Sequence, residues 1–187
     1  MPDFIQNCNR ISQLDKAASD DFLKELKSKS FHKGDFVVKE NEVCKYFYFI
    51  EEGLTKLFFY TKEKEFIMTF FREGMMFTEL TSYITKQPSK YMIMALEPTT
   101  VKYIHQDEVE KLRKKHHCIE TLFSKLFSMG TVGMMKRISE MLEDDAKARY
   151  NHFVNDNSSL LQRISLGDLA NYIGITQVTL SRIRAKK

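Results

Sequence analysis

The sequence predicts an α+β chain: an antiparallel β-roll first, then a long helix, then a C-terminal helix-turn-helix. Three observations predict it. Residues 31–104 run in short apolar or alternating stretches separated by turn signals, whereas residues after Asp107 switch to apolar spacings of three and four. The segment Ser165–Arg184, SLGDLANYIGITQVTLSRIR, has the residue sizes of two short helices joined by a glycine turn.

A chain of 187 residues with 43% hydrophobic content can build one large or two small cores. Its longest apolar runs, Phe47–Ile50 and Phe66–Phe71, fall far short of the roughly 20 residues a membrane span needs. The start, MPDFIQNCNR, has no basic stretch leading into an apolar one, and the three scattered cysteines, Cys8, Cys44 and Cys118, do not form a disulfide framework. A cytoplasmic protein with no membrane partner is expected.

Taken in order, residues 11–30 read as a helix, because Leu14, Ala17, Ala18, Phe22 and Leu26 recur near a period of 3.6. Six strands are then expected, at Phe36–Val38, Tyr46–Ile50, Leu54–Tyr60, Glu65–Phe71, Tyr91–Ala95 and Thr99–Ile104. The turns between them carry Lys33-Gly34-Asp35, Glu51-Glu52-Gly53, Arg72-Glu73-Gly74 and Gln87-Pro88-Ser89. Glu79–Thr85 interrupts them as a short helix. Further on, Ile119, Leu122, Leu126 and Met129 follow 3-4-3 spacing, with Phe123 and Phe127 widening the apolar face. Such a face fits either a seam with a second copy or an ordinary core helix. Gly130 and Gly133 fit either a close helix approach or a bend before a second helix that carries Met134, Ile138, Met141 and Leu142.

The helix-turn-helix is the most specific motif. Ser165 and Asp168 stand at capping-box spacing, and Leu166, Leu169, Ala170 and Ile173 form an apolar face. Gly174 falls where the turn needs positive φ, Thr176 is placed to cap the next helix, and Leu180 and Ile183 face inward. An unrelated helical hairpin is the alternative. Charge favours a polyanion partner. Residues 146–187 hold seven basic side chains (Lys147, Arg149, Arg163, Arg182, Arg184, Lys186, Lys187) against Asp156 and Asp168, while the rest of the chain is nearly neutral. With the second helix in a major groove, Thr176, Gln177, Val178, Ser181 and Arg182 would face base edges. Arg184, Lys186, Lys187 and Arg163 would meet phosphates.

These parts together resemble the cyclic-AMP receptor and fumarate–nitrate regulator (Crp–Fnr) superfamily, from Phe31 to Arg184. In the roll the resemblance rests on Lys33-Gly34-Asp35, Tyr48-Phe49-Ile50-Glu51-Glu52-Gly53, Glu73-Gly74 and Phe77-Thr78-Glu79-Leu80, with Ala95 and Val101 in register. The run LLQRIS…GIT…LSRIR is most similar to the compact members common in Bacteroidetes. The resemblance implies a cyclic-nucleotide-binding-like jelly roll over 1–115, a dimerisation helix over 116–135 and a winged-helix-like helix-turn-helix domain over 136–187. It also implies a homodimer that binds a near-palindromic site on double-stranded DNA and meets RNA polymerase.

At the effector site the match to that pattern breaks. Cyclic-nucleotide-binding members carry a phosphate cassette similar to F-G-E-[LI]-A, then an arginine ten residues after the glutamate that pairs with the cyclic phosphate. Glu79 is kept here, but Thr78 replaces the glycine and Ser89 the arginine, and Lys90 is expected on the opposite face. Cyclic AMP is therefore not the expected effector. Phe77, Thr78, Glu79, Leu80, Ser89 and Tyr91 remain as candidates around a pocket that holds another small molecule or is filled by side chains.

No cofactor or metal is expected. Cys8 alone cannot hold an iron–sulfur cluster, and His116-His117-Cys118 diverge on a helix rather than converge on an ion. No phosphate loop, zincin motif or nucleophile elbow appears, so an enzyme is not expected. A sequence-specific transcription regulator is the leading expectation. The alternative is a sensor module that acts through protein contacts.

Overall fold

The computed structural model describes residues 3–62 and 64–185. The chain divides into two compact units, Met1–Leu57 with Phe70–Gly130, and Phe58–Thr69 with Thr131–Lys187.

The first unit begins with two helices, of which only the second falls within the helix expected over residues 11–30. They are α1 (Phe4–Ile11) and α2 (Lys16–Glu25), and β1 (Lys27–Phe31) takes up the end of the expected helix. The break is chemical. Asp15 caps α2 by accepting from the Ala18 amide at 2.8 Å, and the alternating Lys27-Ser28-Lys29-Ser30-Phe31 has the period of a strand. The strands that follow are β2 (Phe36–Val38), β3 (Tyr46–Glu52), β4 (Leu54–Thr61), β5 (Lys64–Arg72), β6 (Met76–Phe77), β7 (Met92–Ala95) and β8 (Thr99–His105). The short helix α3 (Leu80–Thr85) lies between β6 and β7. The strands form two four-stranded sheets, in the orders β1-β8-β3-β6 and β2-β7-β4-β5, and β3 pairs antiparallel with β8 from Tyr46 opposite His105 onward. This is the expected roll.

Residues 47–50 of β3 are buried in succession because both faces of the strand are covered. Tyr48 and Ile50 face the core of the roll with Val38, Phe77, Ile93, Ala95 and Val101. Phe47 and Phe49 face a second core with Phe4, Phe22, Val109 and Leu112, which brings in α4 (Gln106–Lys115), and with Ile119, Leu122 and Phe123. Edge-to-face rings knit that core: Phe4 meets Phe22 at 4.9 Å and Phe49 at 5.3 Å, and Phe47 meets Phe123 at 5.0 Å.

Ile119, Leu122 and Phe123 lie on α5 (His117–Glu143), a single helix of 27 residues. The glycines at 130 and 133 do not divide it, and nothing lies within 4 Å of where a Cβ on either would stand. A lone glycine weakens a helix by about 1 kcal/mol without breaking it, so the two expected helices are one. The core reading therefore holds for the first turns. Past them the apolar face is bare, with Met129 59%, Val132 68%, Met135 60%, Ile138 53% and Leu142 80% exposed.

The second unit adds α6 (Ala146–Asp156), a 3₁₀ turn (Ser158–Leu160), α7 (Leu166–Ile173) and α8 (Gln177–Ala185). Its core holds Tyr150, Phe153, Leu160, Leu169, Ala170, Ile173 and Leu180. No described helix is long and apolar enough to cross a membrane.

Candidate nucleic-acid interface and effector pocket

The helix-turn-helix is built from local chemistry. Ser165 Oγ accepts from the Asp168 amide at 2.9 Å and donates to its carboxylate at 2.6 Å, which starts α7. Gly174 ends α7 in the left-handed conformation, φ 84°, where its amide and that of Ile175 both donate to Ala170 O. Ala170 is 1% exposed, small enough for the helix crossing. Thr176 Oγ1 accepts from the Thr179 amide at 3.2 Å and starts α8, and Leu180, fully buried, anchors α8 from inside.

The face of α8 turned to solvent carries Thr176, Gln177, Val178, Ser181, Arg182 and Arg184, all exposed. The Gln177 amide lies across the first turn of α7, where a Cβ on Gly167 would stand 2.8 Å from Nε2. Arg163 is half-buried in the turn before α7. Lys186 and Lys187 lie outside the described residues.

Two arginines escaped the sequence reading. Arg137 on α5 donates to Tyr172 O and stacks on the Tyr172 ring at 3.9 Å. Arg149 on α6, counted above in the basic tail, donates from Nε to Ile173 O at 2.9 Å. No sequence signal marks them, because which carbonyl a long side chain reaches is set by tertiary packing.

In the first unit the cassette residues are closely engaged. Phe77 stacks on Tyr48 at 5.2 Å and on Phe71 at 4.6 Å. The Thr78 hydroxyl donates to Tyr46 O at 2.9 Å. Glu79 is 2% exposed and caps α3, its two carboxylate oxygens accepting from the Thr81 amide at 3.0 Å and the Ser82 amide at 2.8 Å. Leu80 follows it, half-buried. Ser89 Oγ donates to Tyr91 O at 2.8 Å and accepts from the Tyr91 amide at 2.9 Å, while its own amide and carbonyl bond Glu42 O and the Asn41 amide. Tyr91 packs with Phe77 in the core of the roll. Lys90 precedes β7 rather than lying on it, and it is exposed beside the buried Ser89. Two cavities of this unit, ≈ 360 Å³ and ≈ 270 Å³, are lined by other residues, one by Arg10 and Lys125 among others, the other by His32 and Glu52 among others.

The cysteine and histidine candidates have structural partners. Burial pushes the Cys8 thiol up to about 12. His116 Nε2 lies 2.8 Å from Asp21 Oδ2, and Cys118 Sγ contacts Asp15 Oδ2 at 3.7 Å. Hydrogen bonds from Lys115 and then His116 hold the Asp21 carboxyl far below the usual carboxylate range.

Residues 28–116 match the cyclic nucleotide-binding domain family by sequence. No curated protein sequence gives a significant match. Among solved structures, FixK2 from Bradyrhizobium japonicum aligns with a TM-score of 0.76 at 17% identity, covering 86% of this chain and 83% of that one. A Eubacterium rectale protein assigned to the Crp/Fnr family of transcriptional regulators aligns at 0.72 and 15% identity, over 92% and 83% of the two chains. CLP, the c-di-GMP-responsive global regulator of Xanthomonas campestris, aligns at 0.70 and 14% identity, over 92% and 91%. By sequence, residues 28–116 are similar to the cyclic nucleotide-binding domain family, and the fold of the chain is the one seen in Crp–Fnr regulators.

Proposed function

We propose that this chain is a cytoplasmic, sequence-specific, DNA-binding transcription regulator of the Crp–Fnr type. The observation that carries the reading is the solvent face of α8, where Thr176, Gln177, Val178, Ser181, Arg182 and Arg184 stand exposed on a helix fixed from inside by Leu180. A helix so presented fits the major groove, with Arg182 suited to a bidentate guanine contact and Arg184 to a phosphate. The expected test is Arg182→Ala, which should cost about 1–3 kcal/mol of operator affinity and flatten base preference at one position per half-site. Unchanged preference in a competition assay would contradict the assignment.

The partner is a second copy, paired along the bare apolar face of α5, where Met135, Ile138 and Leu142 keep 3-4 spacing. Glycines at 130 and 133 with open space above them favour close approach of another helix. The dimer would bind a near-palindromic operator and act on RNA polymerase.

The effector is a small molecule other than cyclic AMP, or none. Ser89 stands where the cassette pattern has its arginine and is closed on Tyr91, so a cyclic phosphate beside Glu79 would lie against a carboxylate with no arginine from this position. Calorimetric titration with cyclic AMP is expected to give no saturable heat, and tight binding would sink this assignment.

A further inference from the structure

The turn that precedes α8 is held from outside the helix-turn-helix. An α-helix leaves its last carbonyls without partners, and those of α7 fall at the entry to the turn. The Ala170 carbonyl receives the amides of Gly174 and Ile175. The next two of α7's final carbonyls to find a donor, Tyr172 O and Ile173 O, are taken by guanidinium groups from two other helices. Arg137 on α5 donates to Tyr172 O, its guanidinium carbon lies over the Tyr172 ring at 3.9 Å from the centre, and its Nη1 is 3.9 Å from Glu140 Oε2. Arg149 on α6 donates from Nε to Ile173 O at 2.9 Å and from Nη1 to Asp144 O, just past the end of α5. The Met141 methyl sits 3.1 Å from where a Cβ on Gly174 would be.

Arg137, Met141 and Asp144 are spaced four and three residues apart, so one face of the last turns of α5 meets the turn. Both cations also sit at the negative end of the α7 dipole, where positive charge is favoured. With Tyr172 edge-on to Phe153 of α6 at 5.1 Å, this joint uses oriented bonds as well as apolar contact, and oriented bonds fix angle as well as distance.

We propose that Arg137 and Arg149 are positioning residues for DNA reading: they clamp the end of α7 to the end of α5, so that α8 is aimed by α5. This rests on the regulator reading above. If α5 is the dimer seam, the clamp makes the separation of the two reading helices a property of the seam, and the operator spacing is set there. The same geometry removes both arginines from the set available to phosphates, although one of them contributes to the basic tail.

The experiment uses the full-length chain and duplexes carrying its selected operator, with the half-sites at their preferred separation and moved apart by one and two base pairs. Affinity is measured over a range of salt for wild type, Arg137→Gln, Arg149→Gln and, as a control, Arg182→Ala. Losing a charge-assisted bond at the joint is expected to weaken operator binding about tenfold in either clamp variant. It should also shrink the preference for the correct spacing. The salt slope should stay at the wild-type value, because no phosphate contact is lost. Arg182→Ala should weaken binding with spacing preference intact.

A salt slope reduced by about 1.8, about 0.9 for each chain of the dimer, would mean that the arginine touches a phosphate, and it would overturn the proposal. So would an intact spacing preference in both clamp variants. Arg137→Lys keeps the charge but not the flat fork, and it should fall between wild type and Arg137→Gln if the latter folds poorly. If wild type selects no operator at all, the regulator reading fails on its own account. The clamp is then judged by hydrogen exchange. Faster exchange confined to residues 171–180 in Arg137→Gln upholds it, and exchange as in wild type overturns it.

Discussion

Gly53 sits at the turn between β3 and β4 with φ 103°, and a Cβ there would lie 2.4 Å from Thr99 Oγ1 and 2.6 Å from Pro98 O. Both the left-handed backbone and the close approach require the missing side chain. Gly53→Ala is therefore expected to lower stability by about 2 kcal/mol or more, read as a shift in urea midpoint at unchanged m-value. A shift of a few tenths would show that the turn relaxes freely. Residues of this kind were legible in the sequence, because a glycine among charged turn residues signals its own conformation. Gly174 was legible from its place between two apolar helical runs, and Ser165 and Thr176 from their spacing as caps. Ser89 was legible only as a departure from a pattern. That its hydroxyl closes on the Tyr91 backbone could not be read, and neither could the reach of Arg137, since both depend on neighbours distant in sequence or on the path of a loop.

At the scale of elements, periodicity gave six strands to within a residue or two, missed β1 and the two-residue β6, and placed α3, α7 and α8. It erred where a pattern ran across a boundary. The helix expected over residues 11–30 is confined to Lys16–Glu25, started by the Asp15 cap and followed by β1 from Lys27. In α5 the error was opposite, because two glycines read as a division lie inside one helix. The apolar residues of α5 serve two purposes. Ile119, Leu122 and Phe123 are buried in their own unit, whereas Met135, Ile138 and Leu142 are bare. The bare face is the proposed seam, so Met135→Glu, at a position 60% exposed in the single chain, should leave the folded monomer intact. In sedimentation at micromolar concentration wild type should run as a dimer and this variant as a monomer. A monomeric wild type would remove the seam.

For the whole molecule, the described residues form two compact units that differ in charge as well as in architecture. Most of residues 28–116, which match the cyclic nucleotide-binding domain family, lie in the β-rich unit, and the excess of positive charge falls in residues 146–187. A basic region with an exposed helix, in a chain proposed to pair with its copy, predicts two-fold symmetry in its target. The most direct measurement is selection of bound duplexes from a random library by the purified chain. The account predicts enrichment of a near-palindromic site, its half-sites about 10 base pairs apart from centre to centre. A bound pool that stays random, even at low salt, would contradict it.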